Sequence, residues 1–369
     1  MKILIITKTL IKTDGQGRYS LGLIKELSRS HDLTILTSEL TVDPLPANLK
    51  IIKIPDLLAT NINNCRKYYF LVKKNLSGKD AVHFFTDLPN YLIFSPFIFK
   101  QKKPYFITAH GTFSIAYLGY GWRKIFLKMV FRQAKKVFCV SNFTKDEIYK
   151  RIELRNLIVI NNGVDFERFD SFYQQIKDAV HKSRDKVLIS VGAIKPRKGY
   201  EFALKAISIL KNKYPRIKYY IIGCQENKNF LAKIKKIACE ENILDSLIFL
   251  ENISDNSLVR FYAQSDLLLF TPVNYEEIYF EGFGLVCLEA GVCEIPVVGS
   301  RDCGVEDAIK DGVTGYLVSQ GEPEKIAAAV DKILSDSGLA GILGKNNREF
   351  SLSLKWDIQA QKYRQYYEN

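Results

Sequence analysis

Short runs of apolar, often β-branched residues alternate along the chain with longer stretches of helical periodicity. The first run, Lys2 to Ile6, precedes a polar loop that holds Gly15 and Gly17 and then a helix pattern from Tyr19 to Leu27. Further strand-like runs occur at Leu33 to Thr37, Ile51 to Ile54, Ala81 to Phe85, Tyr105 to Thr108, Lys136 to Val140 and Leu157 to Asn161. Because strands that alternate with helices form parallel sheets, this pattern predicts a doubly wound α/β domain.

The same alternation restarts after a polar, charged and helical stretch at residues 169–186 that lacks a strong apolar stripe. Strand-like runs recur at Val187 to Val191, Lys218 to Ile222, Leu247 to Leu250, Leu267 to Phe270 and Val297 to Gly299. The length of 369 residues suits two cores. We therefore predict two α/β domains, residues 1–168 and 169–353, with a ligand cleft between them.

Composition narrows the class of protein further. Hydrophobic residues make up 47% of the chain and charged residues 25%, which is typical of a globular protein. No apolar run approaches the roughly 20 residues that span a bilayer, and no secretory signal pattern is present. We expect a cytoplasmic protein.

The formal net charge of +13 is concentrated in the first half. Residues 1–170 carry 27 lysines and arginines against 14 aspartates and glutamates, whereas residues 171–369 carry 26 of each. This asymmetry predicts an anionic partner for the first half: nucleic acid, anionic lipid or a phosphorylated acceptor.

One basic segment, Trp122 to Lys136, has the periodicity of an amphipathic helix. Its basic face comprises Lys124, Lys128, Arg132 and Lys135 or Lys136, and its apolar face Trp122, Ile125, Phe126, Met129 and Val130. A second basic and aromatic run extends from Cys65 to Lys74. Two interpretations stay open: a helix that binds an anionic membrane, or a helix that packs on the sheet and leaves its lysines in water.

The stretch YFEGFGLVCLEAGVCEIPVVGS, from Tyr279 to Ser300, carries the clearest chemistry. Gly282 and Gly284 let a ligand approach the backbone closely, and the free amides of the following helix can bind a diphosphate without a metal ion. Glu281 falls on the loop and Glu289 in the second turn of the helix. Carboxylates in these positions can accept hydrogen bonds from sugar hydroxyls, one from a transferred sugar and one from a ribose.

The spacing EGFGLVCLE followed by IPVVGS resembles the Glu-x7-Glu signature of the retaining family 4 glycosyltransferases of the GT-B fold. Other segments in the family's order, among them VINNGVDFERF, extend the resemblance over nearly the whole chain. The resemblance implies two Rossmann-like domains that face each other across a cleft, with a closing helix at residues 354–369 that returns to the first domain. It also implies transfer of a sugar from a nucleotide diphosphate sugar to a hydroxyl group, with no metal or other cofactor.

The resemblance assigns roles to residues of the second half. Glu281 holds the transferred sugar, Glu289 binds ribose, and the backbone from Gly282 through Phe283 and Gly284 to Leu285 cradles the phosphates. In SVGAIKPRKGYEFALKAI, Lys198 matches the lysine that holds the diphosphate. The family's arginine position is Ala193 here, so that second charge is missing or is supplied by Lys195 or Arg197.

Two motifs of the first half complete the expected site. His110, in ITAHGTF, follows an apolar strand and so is expected at the ligand end of the sheet, where the family's matching histidine contacts the donor sugar. The loop TDGQGRYSLGLIKEL, with Gly15 and Gly17, resembles the family's glycine loop near the donor phosphates and the acceptor. A dinucleotide-binding interpretation fits poorly, because the third fingerprint glycine is lacking.

The function predicted from these motifs is retaining glycosyl transfer in the synthesis of cell-surface polysaccharide, glycolipid or glycoconjugate. The acceptor would be lipid-linked or a saccharide, and the enzyme would lie in the cytoplasm or on the inner face of the cell membrane. Retention by double displacement and by same-face attack both stay open, although the family is generally thought to use the second. Alternative classes are a nucleic-acid-binding protein, for which no binding motif is present, and a nucleotide-sugar epimerase or phosphorylase of similar architecture. We expect no nucleic-acid partner.

Overall fold

The computed structural model describes residues 1–12, 15–40, 45–46, 49–54, 70–86, 98–100, 102–116, 118, 121–180, 185–276 and 278–368, without the side chains of residues 113 and 121–123. The chain divides into two compact units. The first contains residues 1–163 and 356–369, and the second contains residues 164–355. The division therefore falls five residues before the boundary expected after residue 168 and two residues after the one expected at 353.

The first unit contains a seven-stranded parallel sheet in the order β3-β2-β1-β4-β5-β6-β7. Its strands are β1 Lys2–Leu10, β2 Asp32–Leu40, β3 Lys50–Lys53, β4 Ala81–Phe84, β5 Tyr105–Ala109, β6 Lys136–Cys139 and β7 Leu157–Val159. Strand β1 lies inside the sheet, where its residue Ile3 pairs with Leu33 of β2 and Ala81 of β4. Because this strand is covered on both faces, its sequence is an almost continuous apolar run.

The helices of the first unit cover both faces of its sheet. They are Gly15–Leu27, Thr112–Ile115, Gly121–Gln133, Asn142–Arg151 and Trp356–Glu368, with further helical residues at 70–76 and 98–100. Gly15 and Gly17 lie in the first turn of a helix rather than in the predicted loop. A Cβ on Gly17 would lie 2.1 Å from the carbonyl oxygen of Ile11. The glycine therefore permits the helix to begin directly against the chain that leaves β1.

The last helix of the chain packs on the first one through Trp356. A Cβ on Gly22 would lie 2.1 Å from the indole nitrogen of Trp356, and one on Gly163 would lie 2.6 Å from its ring. Two glycines thus make room for one large side chain. This packing places the C-terminal helix within the first unit.

The basic helix Gly121–Gln133 packs differently from its predicted apolar face. Leu127, Val130 and Phe131 are buried, whereas Ile125 is 74% exposed and Met129 38% exposed. Of the predicted apolar residues with described side chains, only Val130 is fully buried, and Phe126 is partly buried. The part of the second basic run at residues 65–69 lies outside the described residues. No helix in the described ranges is long and apolar enough to cross a bilayer.

The second unit contains a six-stranded parallel sheet in the order β10-β9-β8-β11-β12-β13. Its strands are β8 Val187–Val191, β9 Lys218–Ile222, β10 Leu247–Leu250, β11 Leu267–Phe270, β12 Val297–Ser300 and β13 Gly315–Val318. Its helices are Phe166–Ile176, Tyr200–Lys211, Lys228–Glu240, Asp255–Gln264, Leu285–Val292, Pro323–Leu334 and Ser337–Ser353. The short strand β13 was not predicted. The two parallel α/β units confirm the predicted fold class.

The helix Phe166–Ile176 belongs to the second unit. Phe166, Phe169 and Tyr173 are buried, at the spacing of one helical face. Arg348 lies 4.9 Å from the Phe166 ring and hydrogen-bonds to Asp170 at 2.5 Å. The three aromatic residues form the apolar stripe that the surrounding charges conceal in the sequence, which is why the domain boundary moves ahead of this helix.

Candidate active site

The turn Pro196–Lys198 places two cationic side chains near the carboxyl end of β11. Gly199 follows this turn with a left-handed φ of 71°, and a Cβ there would lie 1.9 Å from the carbonyl oxygen of Thr271. Only glycine satisfies both the backbone angle and the close approach. The turn is therefore pressed against the residue that follows β11, at the edge where open α/β sheets bind ligands.

Glu281 is the shared partner of these two cations. Its Oε2 accepts a hydrogen bond from the Lys198 ammonium at 2.7 Å and another from the Arg197 guanidinium. The Lys198 and Glu281 side chains are only 12% and 13% exposed, and the ammonium also lies 4.6 Å from the centre of the Phe270 ring. The site is thus a hydrogen-bonded triad in which Lys198 and Glu281 are nearly buried and Arg197 is 30% exposed.

The charges in this triad determine the ionisation of Glu281. Burial disfavours its charged form, but the Lys198 and Arg197 charges and hydrogen bonds outweigh burial and lower the pKa of the carboxyl to about 2. Burial also lowers the pKa of Lys198, although the Glu281 charge opposes this effect. Glu281 is therefore a firmly ionised carboxylate at neutral pH, and it can accept hydrogen bonds but cannot donate one.

The loop after Glu281 is held by close backbone contacts. The amide of Gly304 donates to the Glu281 carbonyl oxygen at 2.8 Å, and a Cβ on Gly304 would lie 2.0 Å from the Gly282 carbonyl oxygen. Gly284 has a left-handed φ of 95° and directly precedes the helix Leu285–Val292. Phe283 is buried. The first turn of a helix, with amides that lack intrahelical acceptors, thus begins four residues after Glu281.

Glu289 lies on the same helix and is almost fully buried. It is 3% exposed, and its Oε2 accepts a hydrogen bond from the buried Tyr262 hydroxyl at 3.3 Å. Burial of a carboxylate is costly unless it is hydrogen-bonded, so this position is not an ordinary surface glutamate. The sequence did not predict the contact between Tyr262 and Glu289, because Tyr262 looked like an ordinary residue of the apolar face of its helix.

The structure separates the two candidates for the missing arginine. Arg197 reaches Glu281, whereas Lys195, two residues earlier, is exposed. The second unit therefore brings together Arg197, Lys198, Glu281, the loop through Leu285 and the helix that carries Glu289. Lys195 lies outside the triad.

His110 and the glycine-rich helix start meet in the first unit. The imidazole Nε2 of His110 and the side-chain amide of Gln16 each lie 2.9 Å from the Phe85 carbonyl oxygen. A carbonyl oxygen only accepts, so Nε2 carries the proton. Burial lowers the pKa of His110 to about 4, and the Phe85 contact opposes this only in part. His110 is therefore neutral at pH 7, and its Nδ1 is a hydrogen-bond acceptor.

A buried polar network that the sequence did not predict lies next to His110, which contacts its member Tyr19. The Tyr19 ring contacts the imidazole edge-on at 4.5 Å, and the Tyr19 hydroxyl is 2.8 Å from Thr108 Oγ1 and 3.0 Å from the Tyr363 hydroxyl. His83 links Thr108, at 2.9 Å, to the Tyr367 hydroxyl, at 2.5 Å. Single aromatic residues on helix faces are indistinguishable from core residues in a sequence, so no pattern indicated this network.

Family models match both halves of the chain. The model of Glycosyltransferase Family 4 matches residues 13–168, and the model of Glycosyl transferases group 1 matches residues 172–350. A Staphylococcus aureus protein named capsular polysaccharide biosynthesis glycosyltransferase CapM is 27% identical over 53% of this chain and 51% of its own length. The D-inositol 3-phosphate glycosyltransferase of Mycobacterium marinum is 30% identical over 56% of this chain and 44% of its own. The matches thus span about half of each relative.

Among solved structures, Anabaena Alr3699/HepE in complex with UDP-glucose superimposes with a TM-score of 0.78 over 99% of this chain and 98% of that one, at 17% identity. This likeness shows the fold. The two matching family models together account for both units. The chain therefore belongs to the family 4 glycosyltransferases, and its two parallel α/β units are those of the GT-B fold.

Proposed function

We propose that the chain transfers a sugar from a nucleotide diphosphate sugar to a hydroxyl acceptor, with retention at the anomeric carbon and without a metal ion. The observation that carries this proposal is the convergence of Arg197 and Lys198 on Glu281, four residues before a helix begins. Two cations and a helix N-terminus are suited to a diphosphate, and a carboxylate is suited to sugar hydroxyls.

The cations would stabilise the leaving group. When the bond to the sugar breaks, negative charge grows on the diphosphate, and Lys198, Arg197 and the amides of Phe283, Gly284 and Leu285 are arranged to receive it. Preorganised donors of this kind lower a barrier because they need no reorganisation during the reaction. Their present partner, Glu281, keeps both side chains in place before the donor arrives.

The ionisation of Glu281 favours a holding role over a nucleophilic one. A carboxylate with a pKa of about 2 that already accepts two charged hydrogen bonds is a weak base and a weak nucleophile. We therefore favour same-face attack, in which the leaving phosphate takes the acceptor proton. Glu289 would bind the ribose.

The names of the relatives support a role in cell-surface saccharide synthesis. One acts in capsular polysaccharide biosynthesis, one glycosylates D-inositol 3-phosphate, and one similar structure holds UDP-glucose. We propose a UDP-, GDP- or ADP-linked sugar as donor and a saccharide or lipid-linked hydroxyl compound as acceptor.

Thermal denaturation in the presence of UDP, GDP, ADP and their sugars tests the donor class. A ligand at 100 times its dissociation constant stabilises the folded state by about 2.7 kcal/mol, which is easily measured. Donor turnover followed by NMR then gives the anomeric configuration of the product. An inverted product would refute retention, and the lack of stabilisation and turnover with every nucleotide sugar would refute the proposed function.

The helix Gly121–Gln133 supports a peripheral position on an anionic membrane, at the inner face of the cell membrane. Ile125, Lys128, Met129 and Arg132 recur at helical spacing. Ile125, Met129 and Arg132 are exposed and Lys128 is partly so. A face that combines exposed apolar side chains with cations is the kind that inserts at a lipid headgroup boundary, where each basic residue adds about 1 kcal/mol.

Cosedimentation with anionic liposomes at low salt tests this membrane contact. Charge reversal at Lys124, Lys128 and Arg132 should abolish it and leave nucleotide binding intact. Charge reversal at the exposed Lys233, Lys235 and Lys236 of the second unit is the matched control and should have little effect. Binding to neutral vesicles as strong as to anionic ones would remove the membrane proposal.

A further inference from the structure

A short hairpin with two tyrosines directly precedes the active-site loop. Tyr275 and Tyr279 form an antiparallel bridge in which each amide donates to the other's carbonyl oxygen, at 2.8 and 2.9 Å. Their ring centres are 6.2 Å apart. Glu276 has a left-handed φ of 49°, which turns the chain after Tyr275. We call residues 275, 276, 278 and 279 the tyrosine hairpin; residue 277 lies outside the described residues.

The base of the tyrosine hairpin is anchored to the candidate active site. The Val273 amide donates to the Arg197 carbonyl oxygen at 2.9 Å. The Asn274 amide donates to Gln320 Oε1 at 2.6 Å, and its side-chain amide donates to the Asp302 carbonyl oxygen at 2.9 Å. The hairpin is therefore held by the same turn that supplies the cations of the triad.

Chain geometry limits the distance between the tyrosines and Glu281. Tyr279 is two residues from Glu281, so their Cα atoms are at most about 7 Å apart. Tyr275 lies opposite Tyr279 in a hydrogen-bonded pair, in which the Cα atoms are about 5.5 Å apart. Tyr275 is thus within the length of one or two sugar rings of the carboxylate assigned to the transferred sugar.

The exposed surface of the tyrosine hairpin has the chemistry of a carbohydrate contact. Tyr275 is 43% exposed, and the neighbouring Glu276 carboxylate raises the pKa of its hydroxyl. An aromatic face packs against the C–H face of a sugar ring, while a phenol and a carboxylate exchange hydrogen bonds with sugar hydroxyls.

We infer that the tyrosine hairpin binds a saccharide acceptor, with the Tyr275 ring under the sugar that receives the transferred residue. This inference rests on the proposed function. The transferred sugar and the diphosphate already have partners in Glu281, Arg197 and Lys198, so the aromatic surface beside them serves the other substrate. The acceptor is accordingly a sugar-bearing molecule rather than a simple alcohol or an unglycosylated lipid.

Initial rates with the nucleotide sugar that the protein turns over test this inference. The acceptor probes are octyl glucoside, octyl mannoside, octyl galactoside and octyl N-acetylglucosaminide, with octanediol as the alcohol that lacks a sugar. We expect Tyr275→Ala to raise the KM for the best glycoside at least about fivefold, while the donor KM and the rate of donor hydrolysis in water change less than twofold. Tyr275→Phe should retain most of the acceptor affinity, because the ring is kept.

Tyr149→Ala is the matched control, since Tyr149 is 52% exposed on a helix of the other unit. It should match the wild type in every rate. An unchanged acceptor KM in Tyr275→Ala, an equal rise in its donor KM, or a preference of the wild type for octanediol would overturn the inference. A wild-type protein that neither transfers nor hydrolyses any nucleotide sugar would instead overturn the proposed function, so the two failures are distinguishable.

Discussion

Replacing Glu281 with glutamine should lower the free energy of unfolding of the protein. The same substitution should raise its affinity for nucleoside diphosphates. The substitution keeps the side-chain volume but removes the anion that Lys198 and Arg197 share. The ligand-free site would then hold the nearly buried Lys198 and the partly buried Arg197 without a counter-ion, which is unfavourable. A bound diphosphate would supply the missing negative charge without competition from the protein.

The size of both effects follows from the pKa of Glu281. Its fall from 4.5 to about 2 corresponds to about 3 kcal/mol of net stabilisation of the charged form by its surroundings. We therefore expect a loss of up to about 3 kcal/mol in the free energy of unfolding, or several degrees in Tm. A diphosphate should recover part of this energy, which tightens its binding at least about tenfold. Sugar transfer should nevertheless fall, because the partner of the sugar is lost.

Calorimetry with the nucleoside diphosphate that stabilises the wild type, and with its nucleoside, measures the binding effect. Nucleoside affinity should stay unchanged, since it involves no phosphate. The exposed Glu240→Gln variant, which loses only a loose 3.7 Å ion pair with Lys236, is the control and should bind both ligands as the wild type does. Weaker binding of the diphosphate to Glu281→Gln, or an equal change for the nucleoside, would refute the reasoning.

Three further outcomes follow from the same structure. Lys198→Ala should weaken nucleoside diphosphate binding by about 10- to 100-fold, because a charged hydrogen bond contributes about 1.5–3 kcal/mol, and should hardly change nucleoside binding. Equal losses of affinity for the two ligands in calorimetry would remove Lys198 from the phosphate site. Gly22→Ala should lower the free energy of unfolding by about 1–3 kcal/mol in urea titrations, since its Cβ would lie 2.1 Å from the Trp356 indole, whereas Gly341→Ala, with open space around it, should not destabilise. As the pH falls from 6.5 to 4, the free energy of unfolding should decrease less in His110→Gln than in the wild type, because His110 is protonated in that range only in the unfolded chain. A slope of Tm against pH equal to that of the wild type would contradict the burial of this imidazole.

Much of the fold and part of the site were predictable because they depend on neighbours in the sequence. Apolar runs such as Ile3 to Ile6 must be covered on both faces, so the parallel strands were recognisable without any partner. The loop through Gly282 and Gly284, and the helix that follows it, are likewise local. The positions of Glu281 on that loop and Glu289 in the second turn follow from the offset between them alone.

Packing between distant segments decided the remaining features. The stretch at 169–186 showed no strong apolar stripe in the sequence, yet the helix that contains its first residues is packed, because Phe166 and Tyr173 are covered by Arg348, which lies far away in the sequence. The exposure of Ile125 could not be predicted, because either side of an amphipathic helix with mixed residues can face the sheet. The tertiary structure alone shows which side is covered.

The sequence by itself determined which groups are available for catalysis, and only the tertiary structure decided which of them act together. Lys195 and Arg197 were equivalent as candidates, being two residues apart in one basic turn. The close approach of Gly199 to Thr271 fixes that turn, so Arg197 reaches Glu281 while Lys195 stays in water. Because the contact between Arg197 and Glu281 joins residues 84 positions apart, it depends on the sheet that brings the ends of β8 and β11 side by side.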